Sequence, residues 1–162
     1  MSGEPPAPKI SDDLLEMFAS GVTLYIATRD AALMPESMVG MGIRVHQDRR
    51  TVTLYLPKVN AAATLANLAD NGQIAATLTC PPTHRSVQLK GSASGAPREG
   101  TASDREIQEI FRGALVEAFA AVGIPRTLTR GLAWWPCVAV DFVLSGVFTQ
   151  TPGPNAGARI SS

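Results

Sequence analysis

Apolar and polar residues alternate through VTLYIAT, with Val22, Leu24 and Ile26 on one face and Thr23 and Tyr25 on the other. A period of two is the mark of a strand with one buried face. The alternation returns in TVTLYLP, where Val52, Leu54 and Leu56 interleave with Thr51, Thr53 and Tyr55, and again from Gln73 to Cys80 through Ile74, Ala76 and Leu78. Arg85 to Ser94 continues it, with Val87 and Leu89 opposite Ser86, Gln88 and Lys90. Ser37 to His46 reads as a further strand, interrupted by Gly40 and Gly42. Glycine inside a strand marks a bulge or the close approach of another body. Cys137 to Phe148, rich in Val and Phe, is the last strand. Short turns between the first three make them an antiparallel meander.

Helical spacing fills the gaps. Ser11 is placed to cap a short helix, with Asp12 and Asp13 in its first turn, Leu14, Leu15, Met17 and Phe18 on its apolar face, and Ser20-Gly21 as its stop. Asn60 is read as the cap of an Ala-rich helix running to Asp70, closed by Asn71-Gly72. Gly95 to Gly100 reads as a loop. Ser103-Asp-Arg-Glu106 has the form of a capping box, followed by an apolar face of Ile107, Ile110, Phe111, Ala114, Leu115, Ala118, Phe119 and Val122. Residues 1–10, rich in proline, are expected as a flexible arm, residues 11–150 as the folded domain, and residues 151–162 as a turn-rich tail. The fold class that follows is mainly β with flanking helices: a six-stranded antiparallel barrel, in which closure leaves no exposed sheet edge.

Composition narrows the function. Of 162 residues, 45% are hydrophobic and only 17% charged, which suits one folded domain with its own core. Fourteen basic residues balance fourteen acidic ones, so there is no electrostatic footprint for nucleic acid or an anionic membrane. Weak self-repulsion favours association. No apolar run is long enough to span a bilayer and MSGEPPAPKI has no apolar signal segment, which together point to the cytoplasm. Cys80 and Cys137 each sit at the edge of an apolar run and read as free thiols in a reducing compartment, and no metal-ligand spacing is present.

Catalytic motifs are missing: there is no GxSxG, Walker loop, HExxH or GxGxxG, and the acidic residues fall in helix caps and turns. No catalytic residue stands out, so any chemistry calls for a cofactor.

The segments TVTLYLP, VNAAATLANL, GQIAATLT and HRSVQLKG, in that order, resemble the flavin-binding half of the pyridoxamine 5'-phosphate oxidase-like split barrels. In that family a strand leads through a polar loop into a helix of the form S-R-K-x-x-N-L, then a strand, then another beginning R-x-V. The likeness runs from Val22 to Gly91 and, more loosely, into the last strand. It implies a six-stranded split barrel, a homodimer with an FMN at each of two sites between subunits, and a small oxidoreductase. The flavin would lie along the third strand and the loop and helix start that follow.

Carried onto this chain, the cofactor contacts fall on Lys58, Val59, Asn60, Thr64, Arg85 and Gln88, with Met41 and Gly42 allowing close approach of the ring. The chain departs from the pattern at Ala62, Ala63, Thr64 and Ala66, where the family often has Ser, Arg, Lys and Arg. A charge-assisted hydrogen bond contributes about 1.5–3 kcal/mol, so losing two costs about 3–6 kcal/mol, or two to four decades of affinity.

Other readings of the same residues stand beside this one. Arg85 to Lys90 is also the solvated face of a half-exposed strand. His46 or His84 would serve a haem or other tetrapyrrole, a deazaflavin would tolerate the altered clamp, and a barrel without cofactor would act as a dimeric interaction module. Trp134-Trp135-Pro136 suits core or interface packing, or stacking on a flat ligand. The arginine-and-tryptophan substrate motif of pyridoxamine phosphate oxidase itself is missing, because Arg159 stands in the tail with no tryptophan after it.

Overall fold

The computed structural model describes residues 7–160; residues 1–6 of the expected arm and 161–162 of the tail lie outside the described residues. The elements run α1 (Asp12–Ala19), β1 (Thr23–Arg29), β2 (Pro35–Gly40), β3 (Ile43–Val45), β4 (Thr51–Pro57), a 3-10 turn (Lys58–Asn60), α2 (Ala62–Asn71), β5 (Gln73–Thr79), β6 (Ser86–Ala93), β7 (Arg98–Glu99), α3 (Ala102–Ala121), α4 (Arg126–Arg130) and β8 (Cys137–Thr149).

The strands pair antiparallel in the order β2-β1-β5-β6-β8-β4-β3, with the short β7 against β8. The two ends of this path are one chain segment, divided only at Met41-Gly42. At the division the Met41 N–H donates to the Tyr55 carbonyl at 2.9 Å and the Tyr55 N–H donates to the Gly42 carbonyl at 3.0 Å. The sheet therefore curls round on itself as a split barrel. The expected second strand is β2 and β3 together. The six expected strands are thus all found, and β7 is added from what reads as a loop.

Inward positions obey the period of two. Leu24, Ile26, Val52, Leu54, Leu56, Ile74, Ala76, Leu78, Val87 and Leu89 are all buried in one core with Val140 and Phe142. β8 is the spine: its first half pairs with β4, from Cys137 to Val143, and its second half with β6, from Phe142 to Thr149. Beyond it the tail turns back. Thr149 donates to the Ala158 carbonyl at 2.9 Å, Ile160 donates to that of Val147 at 2.8 Å, and Ile160 packs on the core. At the other terminus Ile10 is buried and its N–H donates to Arg49 at 2.9 Å, so the arm is tied down where it meets the domain.

The helix starts differ from the sequence expectation in two places. Asn60 does not cap α2. It lies inside the 3-10 turn, Ala61 holds the cap position in a right-handed helical conformation, and no side chain bonds the first-turn amides. A capping side chain needs extended backbone at its own residue, which the preceding turn denies Asn60. The capping box of α3 is set by Thr101 and Asp104, two residues before Ser103: the Asp104 N–H donates to Thr101 Oγ1 at 3.3 Å and the Thr101 N–H to Asp104 Oδ2 at 2.8 Å. Gly72, in the left-handed region at φ 69°, ends α2 as expected.

The buried face of α3 is also rotated from the expected one. It consists of Asp104, Gln108, Phe111, Leu115, Val116 and Ala118, while Ile110 is 75% exposed. α3 crosses the outside of the barrel, so its inner face meets polar outward groups of the strands as well as apolar ones.

Candidate cofactor site

The loop from β4 into α2 is where the resemblance puts a cofactor phosphate. Pro57 ends the ladder of β4, and the Lys58 N–H is bonded to the Pro136 carbonyl at 2.9 Å, which ties the loop to the entry of β8. Lys58 and Asn60 are exposed, and Val59 is 77% exposed. Lys58 Nζ reaches Glu99 Oε1 on β7 at 2.6 Å, a pair on the surface. Ala62 and Ala63 are exposed on the first turn of α2 and present nothing larger than methyl groups. Thr64 follows on the inward side, fully buried, with an Oγ1 that has no hydrogen-bond partner. An uncapped helix start leaves backbone N–H groups free, and its dipole favours an anion there.

Arg85 and Gln88 are elsewhere. Arg85 is ion-paired with Asp13 of α1, one bond of which measures 3.2 Å from Nη1 to Oδ1. That pairing lowers the Asp13 carboxyl below its ordinary value. Gln88 Nε2 donates to Thr77 Oγ1 on β5 at 3.0 Å. Along β8, Lys58 lies beyond the Cys137 end and Gln88 is opposite Phe148, eleven residues further on. That spacing is about 36 Å of extended chain. Within one chain the expected contacts therefore fall at opposite ends of β8.

Met41 and Gly42 are also not open to a ring. Met41 is fully buried in the core. A Cβ on Gly42 would lie 2.8 Å from Tyr55 Cδ2 and 3.0 Å from Gln108 Cγ, so the bodies that approach this glycine are the chain's own β4 and α3. Gln108 is fully buried; its Nε2 donates to the Met41 carbonyl at 3.3 Å and the Trp134 carbonyl at 3.2 Å, while its Oε1 has no partner.

Beside it lies a polar cluster of which the sequence shows only Asp104, as a helix-capping residue. The Tyr55 hydroxyl donates to Asp104 Oδ1 at 2.7 Å, and Arg98 of β7 forks onto the same carboxylate. Arg98, with the Thr101 amide and Tyr55, holds the Asp104 carboxyl well below the usual carboxylate range. Burial, reinforced by the Asp104 charge, keeps the Tyr55 hydroxyl protonated well above the ordinary tyrosine value. Burial and the same charge push the neighbouring Cys137 thiol up to about 11. The T-x-x-D spacing at Thr101 is the sequence signal that announces the cluster.

The histidines are both away from this loop. His46 ends the β3 hairpin with Nε2 2.8 Å from Thr53 Oγ1, and His84 is exposed in the turn before β6. Trp134 and Trp135, with ring centroids 6.3 Å apart, are stacked on by Arg105 of α3, 5.4 Å and 5.5 Å from the two centroids. Both cysteines are free thiols. Among the described residues no group of three His, Cys, Asp or Glu is placed to hold a metal ion, and no helix is long and apolar enough to cross a membrane.

A curled antiparallel sheet with a helix inserted after β4 and a long final strand is a split barrel, and solved structures share this fold. HupZ from Group A Streptococcus is similar at a TM-score of 0.55 and 17% identity, over 91% of this chain and 100% of that one. A putative pyridoxamine 5'-phosphate oxidase from Lactobacillus delbrueckii is similar at 0.55 and 14%, over 86% of this chain and 93% of that one. An FMN-binding protein from Syntrophomonas wolfei is similar at 0.50 and 13%, over 81% of this chain and 78% of that one. No protein-family model and no curated protein matches the sequence.

Proposed function

We propose that this chain is a homodimeric flavin-binding split barrel that takes FMN and serves as a small oxidoreductase. The observation that carries the reading is the uncapped, methyl-lined start of α2 beside Lys58, in a fold shared with an FMN-binding protein. These residues fit an anionic phosphate through backbone N–H groups and one lysine rather than through a pair of guanidinium groups; the Thr64 hydroxyl, enclosed on the inward side, does not face it. Bound FMN supplies hydride or electron transfer. The chain supplies position: Lys58 exchanges Glu99 for the phosphate, and Asn60 and Val59 border it. The polar cluster of Tyr55, Arg98 and Asp104 holds the start of α3 against β4 and β7.

A dimer is part of the same reading. In it a second copy brings Arg85 and Gln88 to the cradle at Lys58. Leu33 and Met34, 70% and 63% exposed at the tip of the β1–β2 hairpin, add apolar surface for such a contact.

The test is a titration of the protein with FMN, followed by flavin fluorescence and visible absorption after removal of excess. A retained flavin spectrum is expected, with affinity weakened by about ten- to a hundredfold in Lys58→Ala. Ala63→Glu is the sharper variant, since an acid in the first turn favours the helix while repelling a phosphate. It should keep the fold and lose FMN. Failure of the unaltered protein to retain FMN would leave a deazaflavin carrier or a barrel without cofactor.

A further inference from the structure

A groove of about 300 Å³ opens on the outer face of the sheet, where β1, β5, β6 and β8 lie side by side. The register sets its shape. Ala27 of β1 is opposite Ala75 of β5, Ala75 is opposite Lys90 of β6, and Lys90 is opposite Gly146 of β8. Arg29 stands two residues beyond Ala27. The pairing shifts after Lys90, and Ser145 is the extra residue that this bulge leaves on β8. Arg29, Lys90 and Ser145 all line the groove, and no acidic residue does. The tail adds a third cation beside them, because Arg159 Nη1 donates to the Ser145 carbonyl at 3.1 Å.

These cations lack a counter-charge. Among the described residues, no ion pair includes Arg29, Lys90 or Arg159. Asp30, next to Arg29, has its carboxylate on the Met34 amide at 2.9 Å, and Asp70 accepts from Asn71 Nδ2 at 3.2 Å. Lys90 Nζ and the Arg159 guanidinium are 5.0 Å and 4.9 Å from the centroid of the same ring, that of Phe148, so they lie no more than about 10 Å apart. Like charges at that spacing repel, and an anion between them replaces repulsion with attraction.

We infer that this groove is a second anion site, which takes a phosphate group, either free or carried on a small ester. A phosphate monoester has a charge of about −1.5 to −2 near pH 7, which suits a pair of cations better than the single charge of a carboxylate. Arg29 offers it a planar fork and Lys90 a point charge. Gln73 and Ser145 line the same groove with an amide and a hydroxyl. The volume is at the lower edge of the range of about 300–1,000 Å³ usual for drug-sized ligands, which selects a small ester over a dinucleotide. The site is separate from the one beside Lys58. Asn71, at the far end of α2, donates from Nδ2 to the Arg29 carbonyl at 2.8 Å, and the ten residues of α2 span about 15 Å. It goes beyond the flavin reading and does not depend on it.

The probes are glycerol 3-phosphate, orthophosphate and acetate, each titrated into the full chain without FMN and followed by the amide shifts of Lys90, Gly91 and Ser145. Saturable binding of glycerol 3-phosphate is expected, at least about tenfold tighter than acetate and weakening as salt is raised. An ester that binds more tightly than orthophosphate assigns the site to a phosphorylated molecule, and equal affinities assign it to free phosphate. Lys90→Ala and Arg29→Ala should each weaken binding at least about fivefold, whereas Lys90→Arg should hold it within about threefold. Arg130→Ala makes the same change of net charge on α4 and should leave the affinity as it was, with circular dichroism confirming the fold of every variant. No saturable binding, acetate bound as well as the ester, or a loss shared by Arg130→Ala would overturn the proposal. So would an affinity that falls in Lys58→Ala but not in Lys90→Ala, because the phosphate would then sit at the start of α2. FMN retention is scored separately, so failure of the flavin reading leaves this outcome intact.

Discussion

Asp104 shows how much can depend on a single carboxylate. It accepts from Tyr55, Arg98 and the Thr101 amide at once, and so joins β4, β7 and the start of α3. Asp104→Ala would leave the Tyr55 hydroxyl buried without a partner and remove the helix cap. The expected cost is about 3 kcal/mol, read in urea unfolding, or about 6–12 °C in Tm for a chain of this size. Because the folded carboxyl titrates below its unfolded value, its stabilisation is present above about pH 4 and is lost as pH falls further. Tyr55 has the opposite sign. Its hydroxyl titrates above the ordinary value in the folded chain, so its contribution is intact below about pH 10 and lost as pH rises past it. Tyr55→Phe should lower stability at pH 7 and flatten that alkaline decline; equal alkaline slopes for the two proteins would contradict this.

Among the elements, strands were the most legible. The period-two runs at Leu24–Ile26, Val52–Leu56 and Ile74–Leu78 face the core as read, because one buried face allows no slip of register. Helix ends were less so. Ser103 and Thr101 both precede an acid by three residues, and only the Tyr55 hydroxyl and Arg98, distant in sequence, favour Asp104 as the buried one. Ile110 fits the helical period equally well and points to solvent, because α3 packs on polar outward groups of β4 and not on a purely apolar floor. The five residues of α4 and the two of β7 are too short to show a period at all. Gly42 was legible as a point of close approach, but the approaching body was not. Gly42→Ala would press on Tyr55 and Gln108 and should cost about 1–3 kcal/mol, measured as a lower urea midpoint with an unchanged slope. Thr101→Ala, which removes one half of the capping box, should cost about 1 kcal/mol on the same measurement.

At the scale of the whole molecule, the barrel explains why the candidate site was only half readable. The order of segments from Tyr55 to Gly91 carries the fold, yet the contacts it suggests separate into Lys58, Val59, Asn60 and Thr64 at one end of β8 and Arg85 and Gln88 at the other. No sequence period encodes which chain completes a groove. A homodimer predicts that sedimentation gives twice the 17.0 kDa chain mass and that each half of the cradle is needed in trans. The decisive measurement is FMN retention by Lys58→Glu, by Arg85→Glu, and by the two proteins mixed after dissociation and reassembly. The account predicts that neither variant alone retains FMN as the unaltered protein does, and that the mixture regains binding, since a mixed dimer keeps one intact cradle. Equal FMN retention by all the proteins, retention by none including the unaltered chain, or a mixture no better than its parts would contradict it.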